Sequence, residues 1–358
     1  MRVRLSILTS FALFFSFLGF MPVKAIINGQ EVVGANYVVT LLPFGKYGEG
    51  ICSGGYFSER VVVTAAHCVI KDQGKAPELK FPLANFYVSQ TGINWRNTAS
   101  KSNSVRVLKI WTEPDYFNRW NPAEMQYETQ INDVAFLFLE KPLEGKHISR
   151  GANETEIANF EQGIGSAFHL GYGCTWDSSR NPIYNGSPHR VDGVVGTSQK
   201  YPHISLKERH LVIDYPSNTA ICPGDSGSPL LIEKGDEILY LGTIFAGGFS
   251  TNTTTSGAQR GTGVITVFWP FREKFEIELK KFLDDEKNKK AAEAESKAKQ
   301  EAEAKAKTEA ESKAKQEAEA KAKTEAAKKK TTITCVKGKL TKKVTAVNPK
   351  CPKEYKKK

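Results

Sequence analysis

From residue 284 to residue 330 the chain has no leucine, isoleucine, valine, methionine or aromatic side chain. That stretch cannot contribute to a hydrophobic core, and with no leucine or isoleucine at heptad positions it lacks the seam of a coiled coil. A second long apolar run is also missing, since nothing after residues 5–21 reaches membrane-spanning length. Net positive charge is absent from the body of the protein. Of the total of +11, residues 1–25 hold +3 and residues 331–358 hold +8, so residues 26–330 sum to zero. A neutral body lacks the broad basic face that nucleic-acid binding needs, and no such partner is expected. His147, His169, His189, His203 and His210 fall at no metal-ligand spacing, so neither a metal nor a cofactor is expected.

What is present begins with Arg2 and Arg4, an apolar run over 5–21, then Pro22, Val23 and Ala25. This is the plan of a cleaved secretory signal over residues 1–25, with an uncleaved anchor as the alternative. The expected product is secreted, either extracellular or held at the cell envelope. Six cysteines in an exported chain are expected to pair, in any of fifteen ways.

Short apolar or alternating runs then recur between Gly, Pro and Asn turns, at 37–42, 60–64, 86–89, 105–111, 134–139, 166–170, 210–214, 238–246 and 263–268. Many short strands so spaced predict an all-β sandwich or a pair of barrels. Residues 76–130 are long and polar, and their scattered Trp95, Trp111, Tyr116 and Trp120 are read as local packing within insertions near a substrate groove. At 271–283 the period becomes helical, with Phe271, Phe275, Leu279 and Phe282 on one stripe.

Three motifs carry chemistry. Cys222-Pro223-Gly224-Asp225-Ser226-Gly227-Ser228-Pro229 places a serine between glycines, so its hydroxyl and neighbouring N–H groups can converge on one substrate atom. Thr64-Ala65-Ala66-His67-Cys68 lies upstream, with Asn132-Asp133-Val134-Ala135-Phe136-Leu137 between them. These motifs, their His, Asp, Ser order and Ile26-Ile27-Asn28-Gly29 resemble the trypsin/chymotrypsin-like serine proteases over about residues 26–283. The resemblance implies two six-stranded Greek-key barrels with the active site between them and a C-terminal helix.

It also implies roles. Ser226 would be the nucleophile, His67 its general base and then acid, and Asp133 the buried carboxylate that orients the imidazole. The N–H groups of Gly224 and Ser226 would form the oxyanion hole. Ala220 would floor the primary specificity pocket and Gly247 and Gly263 would wall it, leaving it open and uncharged. A free amine on Ile26 would pair with Asp225. Two departures stand out: Ser228 replaces the family's usual glycine, a change that could strain or reshape the following turn but is expected to be tolerated, and no serine in 243–248 matches the one the family sets beside the carboxylate.

Cys52 and Cys68 match a family bridge, whereas Cys335 and Cys351 stand alone beyond a polar spacer. Eliminating those four leaves Cys174 with Cys222. The expected activity is a secreted serine endopeptidase acting on protein or peptide substrates as a monomer, activated by removal of the signal. The alternative is a catalytically silent relative kept as a binding module.

Residues 284–330 contain EAESKAKQEAEAKAKT twice, at 293–308 and 309–324, and every glutamate in the repeats has a lysine four residues later. That orientation and the alanines favour a solvated helical spacer of about 70 Å. Residues 331–358 alternate Thr, Ile and Val with lysine around two cysteines, a pattern for a disulfide-linked hairpin. The module is read either as a binder of an anionic cell-surface polymer or as a solvated charged tail.

Overall fold

In this computed structural model, residues 26–358 are described apart from 33–35, 44–51, 72–77, 91–103, 122–125, 177–181, 185, 198–209 and 254–258. The leader over 1–25, with Trp95 and His203, lies outside the described residues.

Valine- and phenylalanine-rich runs build the first barrel from β1 (Val38–Pro43), β2 (Ser53–Ser58), β3 (Val61–Thr64), β4 (Phe86–Ser89), β5 (Val105–Thr112) and β6 (Ala135–Leu139). They close in the order β1-β2-β3-β6-β5-β4. The second barrel uses β7 (Ala167–Gly171), β8 (His189–Gly196), β9 (His210–Asp214), β10 (Pro229–Lys234), β11 (Glu237–Thr253) and β12 (Gln259–Val267). Their pairings close the same cycle, β7-β8-β9-β12-β11-β10. Each barrel has its own core, one around Leu41, Tyr56, Phe86 and Leu137, the other around Phe160, Leu230, Leu241 and Ile265.

Apolar alternation misses three of these strands, β2, β8 and β10. In β2 the cause is visible, because Ser53, Gly54 and Gly55 break the pattern yet are fully packed. A Cβ on Gly54 would lie 2.6 Å from Val62 Cγ1, and one on Gly55 would meet Tyr240, Pro229 and Ile148 at 3.0 to 3.2 Å. Gly54 therefore packs inside the first barrel, whereas Gly55 lets the second barrel approach through Pro229 and Tyr240. Trp111 stacks on Phe136 at 4.6 Å, as local packing. The side chain of Trp120 is not described.

Between the barrels α1 (Glu154–Glu161) starts with a capping box in which Asn153 and Glu156 bond each other's backbone N–H. After β12 a 3-10 turn, Trp269–Phe271, leads into α2 (Arg272–Lys328). The start of α2 docks through Phe275, whose ring meets Phe57, Phe136 and Phe268 with centroids 4.9 to 5.8 Å apart, and through Lys274 to the buried Glu113. The expected boundary at 283/284 is no break in the backbone, because alanine-rich, i,i+4-paired sequence continues the helix. The chain nevertheless divides into two compact units between Lys280 and Lys281.

In the second unit β13 (Thr331–Lys337) and β14 (Leu340–Ala346) form a hairpin, extended by β15 (Lys356–Lys357) on the free edge of β13. Gly338, at φ +57°, makes the two-residue turn, and the Cys335–Cys351 bridge fastens the following loop to the sheet. Among the described residues no helix is long and apolar enough to cross a membrane.

The Gly54 contact can be tested. Gly54→Ala is expected to lower stability by about 1–3 kcal/mol through overpacking against Val62, read as a fall in Tm; an unchanged Tm would contradict the packing account.

Candidate active site

The first barrel supplies a histidine and a carboxylate. The Ala66–Cys68 turn carries His67 just after β3, and Asp133 lies just before β6, the neighbouring strand. Asn132, at φ +55°, turns the chain into that position, and asparagine tolerates this conformation better than most residues. Asp133 is fully buried; its Oδ1 accepts the His67 backbone N–H at 2.8 Å and its Oδ2 accepts Nδ1–H at 2.6 Å. Burial pushes this carboxyl up, but the His67 charge and hydrogen bonds, with a smaller pull from His210, hold it below its usual range. The proton therefore sits on Nδ1 of His67, leaving Nε2 directed elsewhere.

The second barrel supplies a tight turn between β9 and β10. Ser228 N–H donates to Asp225 C=O at 2.9 Å, and Gly227 has φ +82°, so Asp225-Ser226-Gly227-Ser228 is a type II turn with Ser226 at its first corner. A Cβ on Gly227 would fall 2.1 Å from Thr64 Oγ1 and 2.3 Å from Ser53 O. The left-handed corner falls at Gly227 and not at Ser228, whose φ is not positive.

Three consecutive carbonyls of this loop are anchored. Ser53 Oγ donates to Gly224 O at 2.9 Å, Ser228 holds Asp225 O, and Ser53 N–H donates to Ser226 O at 2.8 Å. The N–H groups of Gly224 and Ser226 have no acceptor among the described residues and remain available to a ligand. Gly224 is at φ +102°, which again suits glycine. No hydrogen bond joins Ser226 Oγ to His67 Nε2 here; the two residues meet at Cys68, whose Sγ lies 3.8 Å from that nitrogen and 3.7 Å from Ser226 O. Such a bond is often long until substrate arrives.

Disulfides join Cys52 with Cys68 beside the histidine, and Cys174 with Cys222 beside the serine turn. The second brings Gly173 N–H to Asp225 Oδ1 and Cys174 N–H to Pro223 O, at 2.9 and 2.8 Å. The only potential metal cluster found among the described residues, Cys52, His67 and Cys68, consists of disulfide sulfurs and the site's own imidazole.

Asp225 is fully buried, and Cys222 N–H bonds its Oδ2 at 2.9 Å. Burial raises its carboxyl to about 7, against the pull of these two N–H donors. No cation pairs with it among the described residues. Ile26, in peptide linkage to Ala25, is buried in the second barrel's core with φ +47°, strained for a β-branched residue, and forms no bond to Asp225. Ile27 N–H bonds Ala220 O at 3.0 Å.

Ala220 is fully buried, and Gly247 and Gly263 are register partners. The space between them is less open than expected, because Ile221 Cδ1 lies 2.7 Å from where a Gly247 Cβ would be. The sequence reading passed over Ile221, although its place directly after Ala220 was the available signal. No residue of 243–248 bonds the Asp133 carboxylate. Instead His210, buried and tilted against Phe245 with centroids 4.6 Å apart, lies within electrostatic reach of it.

Paired barrels of identical strand order, with an imidazole–carboxylate pair on one and a half-buried serine at a turn corner on the other, constitute a serine-protease fold. The family model described as Trypsin matches residues 26–272, and the chain belongs to that family. It is 26% identical over 222 residues to a trypsin of Simulium vittatum, covering 59% of this chain and 81% of that one. It is also 26% identical over 221 residues to trypsin epsilon of Drosophila erecta, covering 60% and 75%. Against coagulation factor IX of Oryctolagus cuniculus it is 26% identical over 160 residues, covering 43% and 50%.

The state of Asp225 gives a pH test. A folded carboxyl near 7 against about 4 unfolded binds a proton that the unfolded chain has lost. Its contribution is complete below pH 4 and is lost as pH rises to 7, with a slope of at most about 1.4 kcal/mol per pH unit. His169 and His210, held by burial at about 3 and about 4, impose the opposite slope as they approach the ordinary histidine range. The Asp225 term is therefore isolated by difference. In chains whose Ile26 remains in peptide linkage, Asp225→Asn should remove this decline from the unfolding free energy measured between pH 4 and 7; parallel curves would refute the assignment.

Proposed function

We propose that this protein is an exported serine endopeptidase that cleaves peptide bonds through an acyl-enzyme. The observation that carries the reading is the His67–Asp133 pair facing a turn whose Gly224 and Ser226 N–H groups are left free. Ser226 Oγ attacks the scissile carbonyl while His67 Nε2 takes its proton, and the buried Asp133 stabilises the imidazolium. As the carbonyl oxygen gains charge it is held by the N–H groups of Gly224 and Ser226, each worth about 3 kcal/mol. His67 then protonates the leaving amine, and water repeats the sequence on the ester.

Ser226→Ala should reduce peptide and ester hydrolysis by roughly 10⁴-fold or more while leaving Tm unchanged. A rate equal to that of an active parent would refute the Ser226 mechanism, and a parent with no hydrolysis would favour the silent binding module.

The floor at Ala220 has no carboxylate, and Ile221 adds an apolar wall next to Gly247. The favoured residue before the scissile bond is therefore a small or medium apolar one. A peptide library should be cut after such residues, and cleavage mainly after Arg or Lys would contradict the pocket assignment.

Activation follows from the buried, cation-free Asp225. Cleavage between Ala25 and Ile26 creates an ammonium group beside the core position Ile26 already occupies, and that charge pairs with Asp225 as its carboxyl ionises. Removal of the signal peptide is then also the activating cut. The mature N-terminus should be Ile26, and an extra residue there should abolish most activity; an active form beginning elsewhere would refute this route.

The spacer and the tail place a lysine-rich sheet on the end of a charged helix, for retention on an anionic cell-surface polymer. The support is the concentration of +8 within residues 331–358 on a module whose lysines are exposed. Cosedimentation of the full chain with a purified anionic wall polymer, lost at high salt and on replacing Lys356, Lys357 and Lys358, tests this part independently of catalysis.

A further inference from the structure

A second histidine lies behind the nucleophile turn, in the core of the second barrel and away from His67. His169, in β7, is fully buried; its Nε2 contacts Ser228 Oγ and its Nδ1 lies 3.1 Å from Tyr215 OH. Ser228 Oγ in turn lies 2.5 Å from Asp225 O, the same carbonyl that closes the type II turn with the Ser228 N–H. The sequence flagged Ser228 as a departure from glycine but did not connect it with His169, 59 residues earlier.

The direction of every proton in this chain is determined. A carbonyl can only accept, and two oxygens 2.5 Å apart would repel each other without a proton between them. Ser228 therefore donates to Asp225. Its single proton is used, so His169 must donate from Nε2–H to Ser228 Oγ. That leaves Nδ1 bare, and Tyr215 O–H donates to it. All three donors point toward the turn, and one neutral tautomer satisfies every group. Burial keeps both ends in the required state, lowering His169 to about 3 and raising Tyr215 well above its usual value.

We propose that Ser228 is a positioning residue of the catalytic turn, held by His169 and Tyr215 so that two hydrogen bonds from one residue fix the Asp225 carbonyl. Fixing that carbonyl orients the Asp225–Ser226 peptide, whose N–H is one of the two oxyanion donors, and sets the corner from which Ser226 Oγ leaves. The relay thus acts on the reacting atoms through the backbone. It rests on the serine-endopeptidase reading above for its kinetic consequences, but not for its structure.

The two dependences are separated by measuring both in the full chain. Nitrogen-15 spectra of the histidine rings should show His169 neutral and protonated at Nε2 throughout pH 5–8, with that state altered in Ser228→Ala. A ring protonated at Nδ1, or one titrating in this range, would overturn the proposal whether or not the protein hydrolyses anything. In kinetics, Ser228→Ala and His169→Leu should each lower kcat about 10- to 100-fold with KM changed less than about threefold, since geometry rather than binding is lost. The double variant should be no worse than the poorer single one. His169→Gln, which can still donate to Ser228 and accept from Tyr215, should recover most of kcat. Were His169→Leu to misfold, Ser228→Ala and His169→Gln would still decide the matter. Variants with lowered Tm and unchanged kcat would make the relay merely structural and refute the proposal. A parent chain inactive on every peptide and ester would count against the endopeptidase reading alone, leaving the ring tautomer to decide the relay.

Discussion

Ser53 is the point on which the arrangement depends. Its N–H and hydroxyl hold the carbonyls of Ser226 and Gly224, its hydroxyl also accepts the N–H of Tyr172, and its carbonyl accepts the Thr64 hydroxyl at 2.7 Å. One residue of the first barrel therefore fixes the serine turn of the second and the strand that leads to His67. Buried hydrogen bonds of this kind are costly to leave half-made, which favours a single geometry across the seam. The proposed chemistry needs that, because His67 and Ser226 come from different barrels and a misplacement of about 1 Å can cost two orders of magnitude in rate.

Around this seam the polar groups divide by depth. His67 retains partial exposure, as its proposed role requires, while Asp133 and Asp225 have none. The two carboxylates are equally buried yet move in opposite directions. Asp133 has a histidine in contact and is held low, whereas Asp225 has only two backbone N–H groups and is pushed to about 7. Local partners, rather than depth, separate them. The hydroxyl relay from Tyr215 to Asp225 belongs to the same layer, and its neutral groups satisfy one another without adding charge.

Outside the barrels the logic is different. Beyond Lys280 the helix exposes nearly every side chain, and its Glu–Lys spacing stands in for a core. The terminal sheet is too small to be held by apolar burial alone, and Cys335, its one buried apolar residue, is in the disulfide. Net positive charge, absent from the barrels, is concentrated in this last module.

The sequence alone determined the strand-rich class of residues 26–268, the helical stripe at Phe271, Phe275 and Phe282, the Glu–Lys helix, and the three motifs that bear His67, Asp133 and Ser226. These are local or periodic signals, read from side-chain type and spacing within a few residues. The tertiary structure decided the rest. β2 has no apolar alternation and becomes a strand because Gly54 fits against Val62 inside the first barrel and Gly55 fits against Pro229 and Tyr240 of the second. Ile221 crowds Gly247 because β11 passes beside it. Ser228 proved compatible with the turn because Gly227 takes the left-handed corner and because His169 arrives on β7 to complete its hydrogen bonding. Gly55, Ile221 and Ser228 each depend on groups brought together across 26 to 185 residues of chain, and no pattern within a local window records which distant partner a buried hydroxyl or a glycine will meet.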